Sequence, residues 1–379
     1  MNIAIRTDAS VQIGTGHVMR CLALADRMKM RRFKVCFICR DLPGNLNSLI
    51  ASKGYSLITL GEPKEVNAPI PSEEINPYAH WLGVPQELDA SQTAMALQQM
   101  GHLVDWVVVD HYAIDTHWET YIQRFCKNIM VIDDLANRSH NCNLILDQNL
   151  CKDFELRYQK LVPEYCKTLV GPTYALLRPE FEQAYKKAVP RTRGIKRIFV
   201  FFGGIDASNE TMKALRGIEF TGKNDFSCDI VVGAKNPHLL QIQEYCARRN
   251  HFRLHVQTDR ISDLMAAADI ALGAGGSATW ERCFLGLPCI TILLSENQYA
   301  SATTLHNMGV ICLLGKSSSV KTEDITSILL EFFSNDCLLS DMSNKAFQLF
   351  SSDYQGAEGV VGIMTAMLQL PLSISKNAL

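Results

Sequence analysis

The sequence lacks the features of several classes of protein. No apolar stretch reaches the length of a transmembrane helix, and the first residues lack the basic and apolar segments of a secretory signal. The formal net charge is only −2 over 379 residues, so bulk electrostatics do not favour nucleic acid or a membrane surface as a partner. We therefore expect a cytoplasmic protein that binds neither.

Common nucleotide-binding motifs are also absent. There is no G-x-x-x-x-G-K-[ST] motif, which argues against a P-loop ATPase. The turn at residues 14–19 is not the dinucleotide fingerprint G-x-G-x-x-G, because Met19 occupies the third glycine position. No D-x-D pair is present to hold a metal on a nucleotide diphosphate. We predict no cofactor and no metal, with any diphosphate bound at helix N-termini.

Thirteen cysteines raise the question of disulfides or a metal site. The single C-x-x-C pair, Cys36 and Cys39, lies in an apolar run that predicts a strand, where residues three apart point to opposite faces. The other cysteines are scattered among apolar neighbours, as is typical of free thiols in a reducing compartment. We predict free thiols.

The patterns that are present predict an α/β protein with parallel sheets in two domains. The chain is longer than one ordinary core, and strand and helix patterns alternate in both halves. In the first half, the strand at 144–147 is expected to close the sheet, and 62–83 is a proline-rich excursion. The predicted units are a first domain at 1–170, a linker at 171–194, a second domain at 195–342, and a helical tail at 343–379 that folds back over the first domain.

The first glycine-rich turn joins a strand pattern to a helix pattern. Gly14, Thr15 and Gly16 present backbone N–H groups at the start of the helix, where an anion can bind. His17 follows Gly16 directly, so a titratable ring stands where a ligand is expected. Asp8, just beyond the first strand, is a candidate to orient the His17 imidazole.

A second turn of small residues precedes another helix pattern. Gly275, Gly276, Ser277 and Ala278 suit a diphosphate through their amides. Glu281 lies about one turn further on and can accept the hydroxyls of a ribose. The alternative for Glu281 is a solvated first-turn acid that the helix dipole favours.

Polar residues follow several apolar strands and should emerge at the carboxyl edge of a sheet. Asp110 and Tyr112 either face the cleft or cap the next turn. Asp134 belongs to an acidic pair with the same ambiguity. Asn297 and Gln298 are candidates to bind sugar hydroxyl or acetamido groups, with a simple turn as the alternative. The pair His80-Trp81 in the excursion is a weaker candidate for substrate contact.

These motifs resemble a known family. Arg6 and Asp8, followed by IGTGHVMRCL at 13–22, closely resemble the start of the PseG family, the UDP-2,4-diacetamido-2,4,6-trideoxy-β-L-altropyranose hydrolases of pseudaminic acid biosynthesis. The resemblance covers the chain to about residue 313 and runs through further segments: 109–112, 132–134, 171–178, Gly203-Gly204 with Asp206, and 296–298. The second half also looks like the UDP-binding domain of MurG-type transferases.

The resemblance implies a GT-B arrangement, in which two Rossmann-like domains with parallel sheets face each other across a cleft. It implies release of UDP by attack of water on the anomeric carbon, with C–O cleavage, inversion and no metal. The general base would be His17, and Ile261 would meet uracil through its backbone. The candidate catalytic residues are His17, Asp8, Tyr112 and Asn297. The candidate substrate-binding residues are Gly14, Thr15, Gly16, Arg6, Gly204, Ile261, Gly275, Gly276, Ser277, Ala278, Glu281 and Gln298.

The chain departs from the family in two places. The family includes shorter chains without the proline-rich loop and without residues 78–83, so these inherit no role, and the tail after 343 matches nothing. Two other functions stay open: a UDP-sugar-dependent GT-B glycosyltransferase, and a non-catalytic nucleotide-sugar-binding protein. In each case the partner is a small UDP-sugar, and a monomer is favoured.

Overall fold

The computed structural model describes residues 1–61, 76–350 and 353–369. Most of the proline-rich excursion, 62–75, and the last part of the predicted tail, 370–379, lie outside the described residues.

The first sheet is parallel and has seven strands in the described part of the chain, in the order β3-β2-β1-β4-β5-β6-β7. Its central strands are apolar runs buried on both faces, as crossover helices on both sides require. The strand order reverses between β1 and β4, where a crevice opens at the carboxyl ends. The strands are β1 (Asn2–Thr7), β2 (Lys34–Arg40), β3 (Ser56–Leu60), β4 (Val104–Asp110), β5 (Cys126–Ile132), β6 (Leu144–Asp147) and β7 (Lys167–Val170).

The expectation that 144–147 closes this sheet is wrong. β7 pairs in parallel with β6, from Leu144 opposite Lys167 to Asp147 opposite Val170. The sequence does not predict this strand because it is short and lies at an edge, where only Leu169 is fully buried and Lys167 and Thr168 are exposed. Such a strand carries little of the apolar signal of a central strand.

Helices cover both faces of the first sheet. Of these, α1 begins at Gly16 and buries Val18, Leu22, Ala25 and Met28 at helical spacing against the sheet. The helices are α1 (Gly16–Met30), α2 (Asn47–Ser52), α3 (Gln86–Gln99) and α4 (Thr116–Ile122), with 3₁₀ turns at Ala79–Leu82 and Gln123–Phe125.

The passage between the domains contains α5 (Pro179–Tyr185), which buries Phe181 and Ala184. Phe181 belongs to the same apolar cluster as Trp280 and Phe284 of the second domain. Arg191 is buried and donates to the carbonyl oxygens of Ala268 and Leu285. The passage is therefore packed against the second domain rather than free of it.

The second sheet is also parallel, in the order β10-β9-β8-β11-β12-β13. Its order reverses between β8 and β11, so its crevice is built like that of the first sheet. The strands are β8 (Arg197–Phe201), β9 (Ser227–Val232), β10 (Phe252–Val256), β11 (Ile270–Ala274), β12 (Cys289–Leu293) and β13 (Cys312–Lys316). The helices are α6 (Glu210–Glu219), α7 (Leu239–Ala247), α8 (Ile261–Ala267), α9 (Ala278–Phe284), α10 (Tyr299–Asn307) and α11 (Thr322–Ser334).

Two helices follow, and they pack on different domains. In α12 (Asp336–Gln348), Leu339 and Met342 join the core of the second sheet, so the predicted boundary at 342 falls inside a helix of the second domain. In α13 (Gly356–Gln369), Val361 and Met364 are fully buried in the core of the first sheet, against α1. Among the described helices, none has both the length and the apolar character needed to span a bilayer.

Candidate active site

The two sheets present their carboxyl ends to a shared cleft of about 540 Å³. The glycine turns of the two domains meet across it. A Cβ placed on Gly16 would lie 3.6 Å from the Ser277 Oγ, and one on Gly204 would lie 3.5 Å from the Thr15 Cγ2. A ligand in the cleft therefore contacts the α1 turn on one side and the second domain on the other.

Local hydrogen bonds shape the first turn. The Gly14 N–H donates to the Ser10 carbonyl at 2.8 Å, and Gly14 adopts φ +78°, which favours glycine. The Ser10 Oγ accepts from the backbone N–H of Gln12 and Ile13. These bonds fix the approach to α1, so His17 lies in its first turn with its ring on the cleft wall.

Asp110, at the end of β4, holds the His17 ring. The His17 Nδ1 lies 2.6 Å from the Asp110 Oδ1, and Arg20 donates from Nε and Nη2 to the two oxygens of the same carboxylate at 2.6 and 2.7 Å. Burial raises the pKa of Asp110, but Arg20 and His17 outweigh it and hold that pKa well below its usual value. The ionised carboxylate accepts the Nδ1 proton, which assigns the lone pair of the neutral ring to Nε2.

The prediction that Asp8 orients His17 is wrong. The Asp8 Oδ1 pairs with the Arg6 Nη1 at 2.6 Å and accepts the Arg40 backbone N–H at 2.6 Å. Arg6 also donates from Nε and Nη2 to Asp89, at 3.1 and 2.6 Å. The Arg6 guanidinium is fully buried, so its charge is costly unless carboxylates pair with it, and Asp8 is one of those carboxylates. Neither Asp8 nor Arg6 is part of the cleft wall, so the prediction that Arg6 binds the substrate is also wrong.

Tyr112 links His17 to the second domain. Its ring meets the His17 ring edge-on at 4.6 Å between centroids. The Tyr112 hydroxyl donates to the Asp134 Oδ2 at 2.9 Å and accepts from the Asn297 Nδ2 at 3.1 Å. Burial, with Asp134 close by, raises the pKa of Tyr112 well above its usual value, so the hydroxyl keeps its proton. Asp134 also accepts from the Arg20 Nη1 at 2.7 Å, which closes a network around His17.

On the second domain, Glu281 lies in the first turn of α9 and faces the cleft. Its Oε1 accepts from the Arg178 Nε at 2.9 Å. Burial lowers the pKa of Arg178, but Glu281 outweighs it and the pKa is raised, so the guanidinium keeps its charge. The bond leaves the Glu281 Oε2 for a ligand. The Gln298 Oε1 accepts the Leu294 N–H at 2.9 Å and so holds the loop after β12.

Most of the predicted site residues meet in the cleft. Those that line it are Gly14, Thr15, Gly16, His17, Tyr112, Gly204, Ile261, Gly276, Ser277, Ala278, Glu281, Asn297 and Gln298. Gly275 lies behind this wall, where a Cβ would come within 3.0 Å of the Leu293 Cδ2. The roles assigned to these residues stay predictions.

The predictions from sequence did not include Asp110 as the partner of His17, Asp134 as the partner of Tyr112, or a role for Arg20 and Arg178. A signal for Arg20 was present, because it follows His17 by three positions and so shares its helix face. No local signal identifies Arg178 as the partner of Glu281, since the two lie far apart in the chain. Across 1–61, 76–350 and 353–369, no group of three or more His, Cys, Asp or Glu side chains is arranged to hold a metal ion.

Comparison with known proteins identifies the fold. Residues 197–356 match the model of the glycosyltransferase family 28 C-terminal domain. The structure is similar to MurG of Acinetobacter baumannii, with a TM-score of 0.61 over 97% of this chain and 99% of that one at 14% identity. It is also similar to UGT89C1 of Arabidopsis thaliana complexed with UDP, with a TM-score of 0.63 over 96% and 99% at 13% identity. The predicted GT-B fold is confirmed: two Rossmann-like domains face each other across a cleft.

Sequence relatives are distant but cover most of the chain. The chain is 26% identical to the UDP-2,4-diacetamido-2,4,6-trideoxy-β-L-altropyranose hydrolase of Campylobacter jejuni, over 82% of this chain and 97% of that protein. It is 23% identical to the spore coat polysaccharide biosynthesis protein SpsG of Bacillus subtilis, over 86% and 87%. An uncharacterized protein of Methanocaldococcus jannaschii is 26% identical over 79% of this chain, which spans 57% of that protein's length.

Proposed function

We propose that the protein hydrolyses a UDP-sugar of the kind named for its C. jejuni relative, UDP-2,4-diacetamido-2,4,6-trideoxy-β-L-altropyranose. Water attacks the anomeric carbon, the C–O bond breaks with inversion, and UDP leaves. The observation that carries the proposal is the position of the His17 ring: it lies on the cleft wall opposite the second domain, and an ionised Asp110 behind it holds its Nδ1. We also expect the protein to act as a cytoplasmic monomer.

In this proposal the second domain binds UDP. The loop amides of Gly276, Ser277 and Ala278 line the cleft and suit the diphosphate. The backbone of Ile261 meets uracil, and the Glu281 carboxylate, held by Arg178, accepts the ribose hydroxyls. The sugar then lies toward the first domain, where the N-terminus of α1 adds partial positive charge.

His17 is the base. Its Nε2 takes a proton from water as the water attacks, and Asp110 stabilises the positive charge that forms on the ring. UDP is a good leaving group, so no strong general acid is required once the diphosphate charge is bound. Tyr112 and Asn297, joined across the cleft, position the sugar beside His17.

The test is UDP release from the UDP-sugar with no acceptor present. We expect fast release by the unaltered protein, and loss of turnover with retained UDP binding in His17→Asn, which keeps a polar side chain of smaller size. Hydrolysis in ¹⁸O-water should place the label in the sugar. Label in UDP would mean attack at phosphorus and would overturn the mechanism, as would turnover that survives His17→Asn.

The same assay separates the alternatives. The match of 197–356 to a glycosyltransferase domain makes a transferase the second candidate. UDP release only after addition of a sugar or lipid acceptor would assign that function, because the acceptor would then replace water. Tight binding without any product would assign a nucleotide-sugar-binding protein, which has no need of His17.

A further inference from the structure

The segment before α3 brings aromatic side chains to the cleft. It consists of residues 76–83 and is anchored by the Asn76 Nδ2, which donates to the Tyr112 carbonyl at 3.0 Å. Within the segment, the Asn76 Oδ1 accepts the Tyr78 N–H at 2.9 Å. Ala79 and Leu82 of its 3₁₀ turn are buried and fix the inner face. The opposite face is thereby directed to the cleft, where Tyr78 and Trp81 form part of the wall.

Three rings make one surface, which we call the aromatic wall: Tyr78, Trp81 and Tyr112. The Trp81 ring stacks on Tyr112, with centroids 5.5 Å apart and planes 25° apart. Tyr78 meets Trp81 at 4.8 Å and Tyr112 at 5.1 Å, both edge-on. Trp81 and Tyr78 keep part of their surface exposed even though Tyr112 is buried. Rings that pack this closely are oriented before any ligand arrives.

The aromatic wall lies beside the proposed base. The Trp81 centroid is 6.2 Å from that of His17, and Tyr112 lies closer still, at 4.6 Å. A sugar whose anomeric carbon is within reach of a water on His17 must therefore have part of its ring against the aromatic wall. Apolar side chains of the first domain also line the cleft: Val11, Ile13, Met19, Leu46 and Leu49.

We propose that Tyr78 and Trp81 select sugars that carry methyl and acetamido groups over sugars that carry hydroxyl groups at the same positions. The inference rests on the proposed function, because it takes the occupant of the cleft to be a nucleotide sugar. Aromatic faces gain free energy from covering C–H and methyl groups. A hydroxyl group pressed against the same surface loses its hydrogen bonds to water without gaining a partner, which costs free energy. A deoxygenated diacetamido sugar fits this surface better than a fully hydroxylated one.

The test measures binding in the His17→Asn variant, so that no substrate is consumed. Calorimetry gives the dissociation constants of UDP, of the UDP-diacetamido-trideoxy sugar, and of UDP-N-acetylglucosamine, which keeps hydroxyl groups at C4 and C6. We expect the diacetamido sugar to bind more tightly than UDP-N-acetylglucosamine. When Trp81→Ala is added to this variant, the dissociation constant of the diacetamido sugar should rise roughly tenfold, because the loss of one aromatic contact changes affinity by about that factor. The dissociation constant of UDP should stay within about twofold. Trp81→Phe keeps an aromatic ring and should lose less affinity for the diacetamido sugar.

Matched controls separate this role from a structural one. Tyr121→Ala removes an exposed ring on α4, outside the cleft wall, and should change none of the three constants. Equal weakening of UDP and the diacetamido sugar by Trp81→Ala would overturn the inference, as would an unchanged preference between the two sugars. Because the readout is binding, a protein that prefers the diacetamido sugar through Trp81 and yet releases no UDP would contradict only the proposed hydrolysis.

Discussion

Replacing Asp110 by asparagine removes the charge that orients His17 and changes little else in shape. The carboxylate accepts from His17 at 2.6 Å and from Arg20 through both oxygens. An amide is neutral and presents a donor as well as an acceptor, so it no longer dictates which His17 nitrogen carries the proton. It also provides no charge to stabilise a protonated ring during the proposed attack of water.

The size of the effect follows from the position of Asp110. General-base catalysis contributes about a hundredfold to ten-thousandfold, so kcat should fall within that range. KM should change little, because the Asp110 side chain is 0% exposed and lies behind His17 rather than on the cleft wall. Leaving a buried partner unpaired costs about 3–5 kcal/mol, but here Arg20 keeps its bonds to Asp134, so the loss in unfolding free energy should be smaller.

The assay is UDP release over a range of substrate concentrations for Asp110→Asn, His17→Asn and the double variant. If the two residues act as one unit, the double variant loses no more than His17→Asn alone. Asp105→Asn, at the other end of β4, is the matched control and should keep full activity, although it loses an exposed pair with Lys127. A folded Asp110→Asn protein that keeps kcat within about threefold would refute the orienting role; so would a double variant with losses that multiply.

Three further predictions concern other contacts. Asn297→Ala removes the bond to the Tyr112 hydroxyl, so kcat should fall roughly threefold to tenfold while UDP affinity is kept. Val361→Asp places a charge in the fully buried contact of α13 with α1, and urea unfolding should show a loss of at least about 3 kcal/mol. Burial, with Asp134 close by, raises the pKa of Asp147 from 3.8 to about 7. The protonated carboxyl therefore contributes fully to stability below the pKa of Asp147 in the unfolded chain, and this contribution is lost as the pH rises through 7. In Asp147→Asn, the free energy of unfolding measured in urea should not show this decrease between pH 5 and pH 8.

Each of these has a control on the same element or of the same chemistry. Tyr112→Phe should lower kcat, as Asn297→Ala does. If the effects of the two substitutions on kcat are independent in the double variant, the bond between Tyr112 and Asn297 does not contribute to catalysis. Ala366→Asp, at an exposed position of α13, should leave stability almost unchanged. Asp341→Asn, exposed on α12, should keep the pH dependence of the unaltered protein. A steeper loss of stability above pH 7 in Asp147→Asn would show the sign to be wrong.

The features that were predictable from sequence are local ones. Apolar strand runs and glycine turns depend on neighbouring residues, so the sequence alone predicts the alternating elements, the turn at Gly14 and Gly16, and the turn at Gly276. Buried strands followed by polar residues also identified Tyr112 and Asn297 as strand-end side chains.

What escaped prediction depends on pairing between distant residues. Asp8 follows one buried strand and Asp110 ends another, so both are candidates to pair with His17. Arg6 is buried and pairs with Asp8 and the remote Asp89, which leaves Asp110 to pair with His17. The Arg178 partner of Glu281 and the edge strand β7 are set in the same way, by tertiary contacts that no local pattern records. Side-chain direction beyond a strand end is decided by such partners.

The crossing of α13 onto the first domain has a mechanical consequence. The chain passes between the domains twice, once through the passage that holds α5 and again between α12 and α13. Two lobes joined by two covalent tethers have fewer ways to move than two joined by one, and the easiest displacement left is a rotation about the line through both tethers. A cut in the first passage would leave the first domain joined to the second through the packing of α13 and no longer through the chain.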